Sequence, residues 1–456
     1  MTAHGWLVVA DPVERTFASE GDLAGAVRWD AAAQRLELSR DRTGVEPLFH
    51  ATNGQTVVAG SDLRAVVTHP AIAARPSTKV LSAWLDDSTI DPVETLFDGV
   101  RRVPAGHTLE VTNGASRLRC DWRPATPGTY DRRDARQFGD VLETAVARIV
   151  DSVSPAVFLS GGLDSAAVTA AAAATARPLA LCVDFPGASE APTQRSVADA
   201  VGARRLDARV VPGANLVHQA LDLARDSLWP TTAVWAPVFE ELARTARQEG
   251  AEVLLDGLGG DELLDAGYAA GRALVYRPWW LPFWALAERR YAGSILEALR
   301  TLPRYGPSRF AEDRQRDVTD ARLAMQREDT FDRGIRTALL RRHPLWDADV
   351  VDLLQGLPPE ALVEGGHPKS PARRYLDRRV PEIRGRWPRP KVADAVATAV
   401  EAELNRVLAT NGTPRLAALG VVDGDRPAGR LPFGRVWPML SLDSWLGGVE
   451  SWGEHR

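Results

Sequence analysis

Ser160–Ser165 reads SGGLDS, directly after the apolar run PAVFL at Pro155–Leu159 and directly before the alanine-rich stretch Ala166–Ala176. Two glycines between a strand and a helix let backbone N–H groups approach an anion closely. Ser160 and Ser165 add hydroxyl donors, and the positive end of the following helix favours negative charge. The pattern suits pyrophosphate. It is neither a Walker loop, because no lysine follows the glycines, nor the GxGxxG of dinucleotide sites. The alanines that follow read as packing: small side chains let a helix lie close to a sheet, and alanine favours helix.

A second segment downstream, Leu254–Tyr268 (LLDGLGGDELLDAGY), repeats the logic of a strand ending in glycines. If the two strands are neighbours in an open parallel sheet, Asp164 and Asp261 meet at its C-terminal edge, where such sheets bind ligands. Two carboxylates together with phosphate oxygens make a magnesium site.

Around these loops, apolar strands at Ala156–Leu159, Leu179–Asp184, Ala208–Val211 and Val253–Asp256 alternate with helices after Asp164, from Thr193 and near Val238–Gln248. This alternation predicts a parallel sheet covered by helices on both faces. Residues 286–456 read as mainly helical. Before the sheet, Arg123–Asp134 (RPATPGTYDRRD) has prolines, a glycine and charges without apolar periodicity, which marks a linker. Upstream lie short strands at Leu7–Val9, Gly25–Trp29, Arg35–Ser39, Val57–Ala59 and Thr108–Val111, with hairpin signals at Asn53–Gly54 and Asn113–Gly114. The expected organisation is therefore α/β: a smaller β-rich domain at 1–122, a linker at 123–134 and a parallel-sheet domain at 135–456.

Composition narrows the class. A chain of 456 residues exceeds one core, and 45% hydrophobic with 25% charged residues is a globular balance. A formal net charge of −5 and the lack of a basic tail argue against nucleic acid as a partner. Two cysteines, Cys120 and Cys182, are too few for a disulfide framework and suit a reducing cytosol, where they are expected as small buried side chains. The apolar run Trp6–Ala10 is too short for a signal peptide, and Gly271–Leu286 is too short and too interrupted to span a bilayer. A cytoplasmic protein with no membrane partner is expected. Trp279, Trp280 and Trp284 in that segment read as helix core, the arginines of Arg373–Arg389 as a solvated face, and the eight histidines as structural, since none has metal-ligand spacing.

Further motifs align with the two loops. Asp41–Phe49 (DRTGVEPLF), Gly99–Gly106 (GVRRVPAG), SGGLDS, GLGGDEL, Lys369–Arg373, Arg389–Lys391 and Trp437–Trp445 (WPMLSLDSW) occur in an order that resembles the asparagine synthetase B superfamily along most of the chain. The resemblance implies an N-terminal nucleophile-like, glutaminase-derived β-rich domain and a pyrophosphatase-loop synthetase domain. It also implies ATP and magnesium as cofactors, adenylation of a carboxylate, and capture of the acyl-adenylate by an amine. Carried over, Ser160, Gly161, Gly162, Asp164 and Ser165 would hold pyrophosphate. Asp164 and Asp261 would bind magnesium and serve catalysis, and Asp256 and Gly257 would meet the nucleotide. Lys391 would reach the reacting centre and Lys369 a phosphate.

Two departures redirect the expectation. Position 2 is Thr2, where the glutamine-hydrolysing members have cysteine, and the stretch before DRTGVEPLF is short, so no glutaminase is expected. Leu258 stands where asparagine-forming members have glutamate and β-lactam synthetases tyrosine, and leucine moves no proton. The amine must then come with the substrate. The pattern resembles lasso peptide cyclases, which join a peptide's N-terminal amine to an Asp or Glu side chain. That resemblance implies a precursor core peptide and a leader peptidase as partners. A β-lactam synthetase-like or other intramolecular amide synthetase, and an asparagine synthetase-like amidotransferase, are the alternatives. An inactive nucleotide-sensing scaffold has no reason to keep Asp164, Asp261 and Lys391 together, and a tRNA-modifying enzyme fits poorly with the acidic balance.

Overall fold

The computed structural model describes residues 7–11, 16–20, 26–112, 114–187, 189–264, 307–364, 367–383, 387, 392–423 and 429–452. Lys391, Thr2, Arg389 and the tryptophans at 279, 280 and 284 lie outside them.

The N-terminal region is β-rich. Its strands are β1 (Leu7–Asp11), β2 (Thr16–Glu20), β3 (Val27–Asp30), β4 (Arg35–Ser39), β5 (Phe49–Thr52), β6 (Val57–Gly60), β7 (Arg75–Pro76), β8 (Phe97–Asp98), β9 (Val100–Arg102), β10 (His107–Thr112) and β11 (Ala115–Cys120). Two short helices, α1 (Leu63–Val67) and α2 (Thr78–Leu85), interrupt them. One sheet runs β2-β1-β6-β5-β9 and a second β11-β10-β4-β3. Alternation in β4 and β10 turns Leu36, Leu38, Leu109 and Val111 inward, where they pack on Val8, Ala10, Val57 and Ala59 of the other sheet. The Asp41 carboxylate shapes the DRTGVEPLF turn, accepting from the N–H groups of Val45 and Glu46 at 3.0 Å each.

The C-terminal region is built on a five-stranded parallel sheet, in the order β14-β13-β12-β15-β16. Its elements are α3 (Phe138–Val150), β12 (Pro155–Phe158), α4 (Leu163–Ala173), β13 (Leu179–Asp184), α5 (Ala191–Ala200), β14 (Arg204–Arg209), α6 (Ala214–Asp226), α7 (Ala236–Gln248) and β15 (Val253–Leu255). There follow α8 (Pro307–Thr319), α9 (Ala321–Thr337), β16 (Leu340–Arg342), α10 (Ala348–Gly356), α11 (Pro359–Leu362), α12 (Ser370–Arg379), α13 (Val392–Asn411), α14 (Pro414–Ala418) and α15 (Phe433–Ser451). Alternate residues of the central strands enter opposite cores. Val157, Ala180 and Leu255 pack with α3, α4 and α10, whereas Ala156, Leu181 and Leu254 pack with α6, α7, α13 and α15. Helix α4 is buried over nearly its whole length, as its alanines require. No helix among the described residues is long and apolar enough to cross a membrane.

Two local expectations are corrected. The strand expected at Ala208–Val211 runs over Arg204–Arg209, and β16 was not expected; both are the outer strands of the sheet and carry polar residues that hide the apolar signal. Cys120 is exposed on β11, all of whose residues are exposed, while Cys182 is buried as expected. Within Arg123–Asp134, the N–H groups of Gly128 and Tyr130 donate to Gly356 O and the Tyr130 hydroxyl to Asp352, so the segment is fastened along α10.

Helix α9 joins the two regions. Its Glu328 is fully buried and accepts from Arg40 at 3.1 Å and from Arg102 at 2.5 and 2.8 Å. Further guanidinium N–H groups of both arginines reach backbone carbonyls, among them Val103, Gly44, Pro92 and Glu94. Arg322 at the start of α9 donates to the carbonyls of Ala83, in the last turn of α2, and of Ser88, just beyond it, at 2.9 Å each, tying the end of α2 to α9. Arg64 of α1 pairs with Asp332 of α9 at 2.6 Å.

Glu328→Gln keeps the side-chain volume but leaves two buried guanidinium groups without a counter-charge. Stability should fall by about 3–5 kcal/mol, the usual cost of breaking a buried pair, read as a lowered urea midpoint. An unchanged midpoint would contradict the role given to this contact.

Candidate active site

The two glycine loops leave the C-terminal ends of adjacent strands, β12 and β15, and come together there. The first loop is held by its own serines. The Ser160 N–H donates to Ser165 Oγ at 3.1 Å, the Gly162 N–H to Ser160 Oγ at 3.2 Å, and the two hydroxyls lie 2.9 Å apart. Gly161 sits at φ +84°, a turn that a side chain would strain. Asp164 and Ser165 follow in the first turn of α4, so the helix N-terminus faces the loop.

The second loop fits against the first. A Cβ on Gly260 would lie 2.0 Å from Cγ of Asp164, so only glycine permits this approach. A Cβ on Gly257 would lie 2.8 Å from the Ser165 backbone nitrogen. Residues Gly260–Leu264 form one π-helical turn, a form common at functional sites. Arg314 of α8, itself buried, donates to the carbonyls of Glu262 and Leu263 in that turn at 2.8 and 2.9 Å.

Lys369 closes the cluster. Its ammonium lies 2.5 Å from Oδ2 of Asp164 and 2.6 Å from Oδ1 of Asp261, bringing together three residues more than a hundred positions apart at their widest. Burial opposes its charge, and the pull of Asp164 and Asp261 outweighs that and raises Lys369 above the ordinary lysine range. Its backbone is left-handed, φ +59° and ψ 35°, at the start of α12, a strained conformation that the two ion pairs help hold. Burial also raises the carboxyl of Glu262, with Asp261 and Asp164 adding to the effect.

Asp164 and Asp261 therefore converge on one cation, with oxygen donors of the kind Mg2+ prefers. No group of three or more His, Cys, Asp or Glu placed to hold a metal exists among the described residues. A two-carboxylate site of this sort suits a magnesium ion whose remaining positions are filled by phosphate oxygens and water.

Asp256, the last predicted loop residue, is tied differently. Its Oδ1 accepts from the Leu258 N–H at 3.0 Å and meets Nδ1 of His343 at 2.8 Å. Nε2 of His343 is 3.2 Å from the Thr330 hydroxyl of α9, so the loop is connected to the helix that joins the two regions. Sequence reading gave the histidines no role, and His343, buried and hydrogen-bonded on both nitrogens, is structural as expected. It also missed Glu190, which is buried beside Gly161 and whose carboxyl is pushed up to about 7 by burial. The run GASEAPT gives no hint that this glutamate turns inward.

Beside Asp256 and Leu258 opens a cavity of about 690 Å3. Its walls combine Phe158, Trp235 and Phe239 from the sheet domain, Trp84 and Leu85 from α2, and a stripe of α9 from Arg322 through Gln326 and Asp329 to Arg333. The stripe follows helical spacing, so one face of α9 lines the cavity while Glu328 and Asp332 face the N-terminal region.

Lys369→Met should separate the roles of this cluster. With the ammonium gone, Asp164 and Asp261 face each other uncompensated, and a divalent cation no longer competes with a resident charge. Mg2+ should then raise the melting temperature of the variant by more than it raises that of the wild type. Equal shifts in the two proteins would show that Lys369 does not occupy the cation's position.

Comparison with known proteins agrees with this architecture. The asparagine synthase family model matches residues 137–446, and the glutamine amidotransferase domain model matches residues 17–122. Over 149 residues the chain is 32% identical to the Bacillus subtilis protein named asparagine synthetase (glutamine-hydrolyzing) 3, covering 32% of this chain and 24% of that protein. A Mycobacterium tuberculosis protein named provisionally as a glutamine-hydrolyzing asparagine synthetase is 31% identical over 266 residues, 55% of this chain and 40% of that one. The Penicillium rubens protein amidase chyE is 28% identical over 281 residues, 54% and 40% respectively. The chain thus spans less than half the length of these relatives. With paired glycine loops on a parallel sheet and a family model covering 137–446, the chain belongs to the asparagine synthase family.

Proposed function

We propose that the protein is an ATP-dependent, AMP-forming carbon–nitrogen ligase that closes a macrolactam in a peptide, as lasso peptide cyclases do. A side-chain carboxylate oxygen of the peptide attacks the α-phosphorus of ATP and pyrophosphate leaves. The peptide's own N-terminal amine then attacks the acyl carbon and AMP leaves, so one carboxylate oxygen ends in AMP and the other in the amide. Activation is needed because a carboxylate is a poor electrophile. Holding both ends of one peptide in the site replaces a rare encounter with an oriented intramolecular attack.

The observation that carries the adenylating half is the convergence of Asp164 and Asp261 on one cation beside the SGGLDS loop. In this reading the backbone and hydroxyls of Ser160, Gly161, Gly162 and Ser165 hold pyrophosphate oxygens, and Asp256 and Gly257 meet the nucleotide. A magnesium ion held by Asp164 and Asp261 would neutralise phosphate charge. Lys369, released from the carboxylates, reaches a phosphate. Lys391 supplies positive charge as the transition state develops.

The peptide half is supported by the cavity. Its arginines are already engaged: Arg341 is bidentate on Glu240 at 2.9 and 2.6 Å, Arg333 pairs with Asp329 at 2.7 Å, and Arg322 ties the end of α2 to α9. Arg333 and Arg341 are thus neutralised by Glu240 and Asp329, which disfavours a free amino acid's α-carboxylate in this cavity and an asparagine-forming reaction with it. Leu258 lines the same cavity and offers no base, in keeping with an amine delivered by the substrate. A leader peptidase acting before cyclisation is the expected partner. A cytosolic setting fits the two free cysteines.

Incubation with the encoded core peptide and Mg·ATP should give a product lighter by one water and resistant to N-terminal sequencing. Asp164→Asn and Asp261→Asn should each reduce its formation by at least about 100-fold, given the several kcal/mol that metal-borne charge stabilisation supplies. Folded variants with near-wild-type turnover, or a product that needs free ammonia, would contradict the proposal.

A further inference from the structure

Asp256 and His343 stand side by side because their strands do. Strands β15 and β16 are parallel neighbours with Leu255 opposite Arg342, and the next residue of each, at the C-terminal edge of the sheet, is Asp256 and His343. There the Asp256 carboxylate is held through one oxygen only. Its Oδ1 accepts from the Leu258 N–H at 3.0 Å and lies 2.8 Å from Nδ1 of the buried His343. Its Oδ2 has no hydrogen-bond or ion-pair partner among the described residues, and it is not sealed from solvent. The side chain is 21% exposed, and the residue lines the cavity of about 690 Å3.

Charge sets this carboxylate apart from its neighbours. On the cavity wall, Glu240 is compensated by Arg333 and Arg341, Asp329 by Arg333, and Asp87 by Arg322 at 3.5 Å. At the loops, Lys369 closes Asp164 and Asp261. Asp256 meets neither lysine nor arginine among the described residues. A partly buried carboxylate oxygen with no cation and an open valence suits a charged N–H donor, and a primary ammonium group is one. The apolar wall of Phe158, Trp235 and Phe239 beside it suits an amine carried on a bulky apolar residue.

The position of Asp256 also brings it to the chemistry. It precedes Gly257, where a Cβ would lie 2.8 Å from the Ser165 nitrogen, so Asp256 stands where the cavity borders the pyrophosphate loop. A nucleotide contact made by the backbone of this segment leaves the side chain for the substrate. Leu258, two residues on, exchanges no proton.

We propose that Asp256 receives the attacking amine: Oδ2 binds the substrate's ammonium group and takes the proton that the nitrogen gives up as the amide forms. This role rests on the proposed ligase reading. One proton of the bound ammonium passes to water before attack. The nitrogen lone pair then forms the C–N bond to the acyl carbon, and the second proton moves from nitrogen to Oδ2. The acyl C–O bond to phosphate breaks with its electron pair leaving on AMP, and Asp256 returns its proton to water.

Two measurements on the full chain test this. Phenylalanine amide has an ammonium group and an aromatic ring but no carboxylate; calorimetry should show that it binds the wild type and that Asp256→Asn weakens it about 10-fold. N-Acetylphenylalanine amide, which lacks the ammonium group, should bind both proteins alike. Asparagine keeps the oxygen that accepts from Leu258 and His343, so the loop retains its anchor. With the core peptide and Mg·ATP, Asp256→Asn should lower ring closure at least about 100-fold further than it lowers pyrophosphate exchange, the usual contribution of a positioned base. Hydroxylamine, which attacks without a base, should still trap the acyl-adenylate of the variant as a hydroxamate. The proposal is overturned if phenylalanine amide fails to bind or binds both proteins equally, or if ring closure and exchange fall in step. Exchange by the wild type with ring closure untouched in Asp256→Asn removes Asp256 and leaves the ligase standing. A wild type giving neither exchange nor hydroxamate refutes the ligase, and the proton transfer to Asp256 falls with it.

Discussion

Glu328, buried between Arg40 and Arg102, is the contact on which the arrangement of the molecule depends. Removing one carboxylate and two guanidinium groups from water is expensive, and the contact persists because further N–H groups of both arginines meet carbonyls. Such a contact adds little to net stability compared with apolar packing. What it supplies is position, because a buried pair held by so many hydrogen bonds tolerates only one geometry. Helix α9 is thereby fixed against the N-terminal sheets on one face. One residue along, Asp329 pairs with Arg333 and begins the face that lines the cavity. The boundary between the two regions and the wall of the cavity are thus two sides of a single helix.

The same helix reaches the nucleotide loops. Thr330 meets His343, His343 meets Asp256, and Asp256 fixes the start of the second loop. That loop in turn lies on Asp164 through Gly260, and Lys369 closes the cluster from α12. A chain of hydrogen bonds and close contacts therefore runs from the N-terminal region to the carboxylate pair. The N-terminal region has a structural task in this arrangement, since α2 lines the cavity and Arg102 of β9 holds Glu328.

The parts of this account that were legible in the sequence are the local ones. SGGLDS and GLGGDEL carry their geometry in adjacent residues, and the apolar runs of β12, β13 and β15 announce a buried parallel sheet. Their partnership across about a hundred residues followed from strand order alone. Strands β14 and β16 were misread or missed because outer strands with arginines lack an apolar pattern. The importance of Arg40, Arg102 and Glu328 was invisible, since a buried ion pair joins positions 40, 102 and 328 with no local signature. Trp437 is legible in the sequence only as the start of a family-like motif and Trp229 carries no signal there; the fold shows that both border a cavity. Glu190 likewise reads as a surface glutamate until α5 turns it toward Gly161.

The central claim is that a carboxylate is activated by transfer to AMP, and oxygen labelling tests it most directly. A core peptide carrying 18O in its acceptor side-chain carboxylate should yield AMP containing one 18O atom and a macrolactam retaining the other. Label in inorganic phosphate with ADP as the nucleotide product, or AMP free of label beside the cyclised peptide, would contradict adenylation by this site.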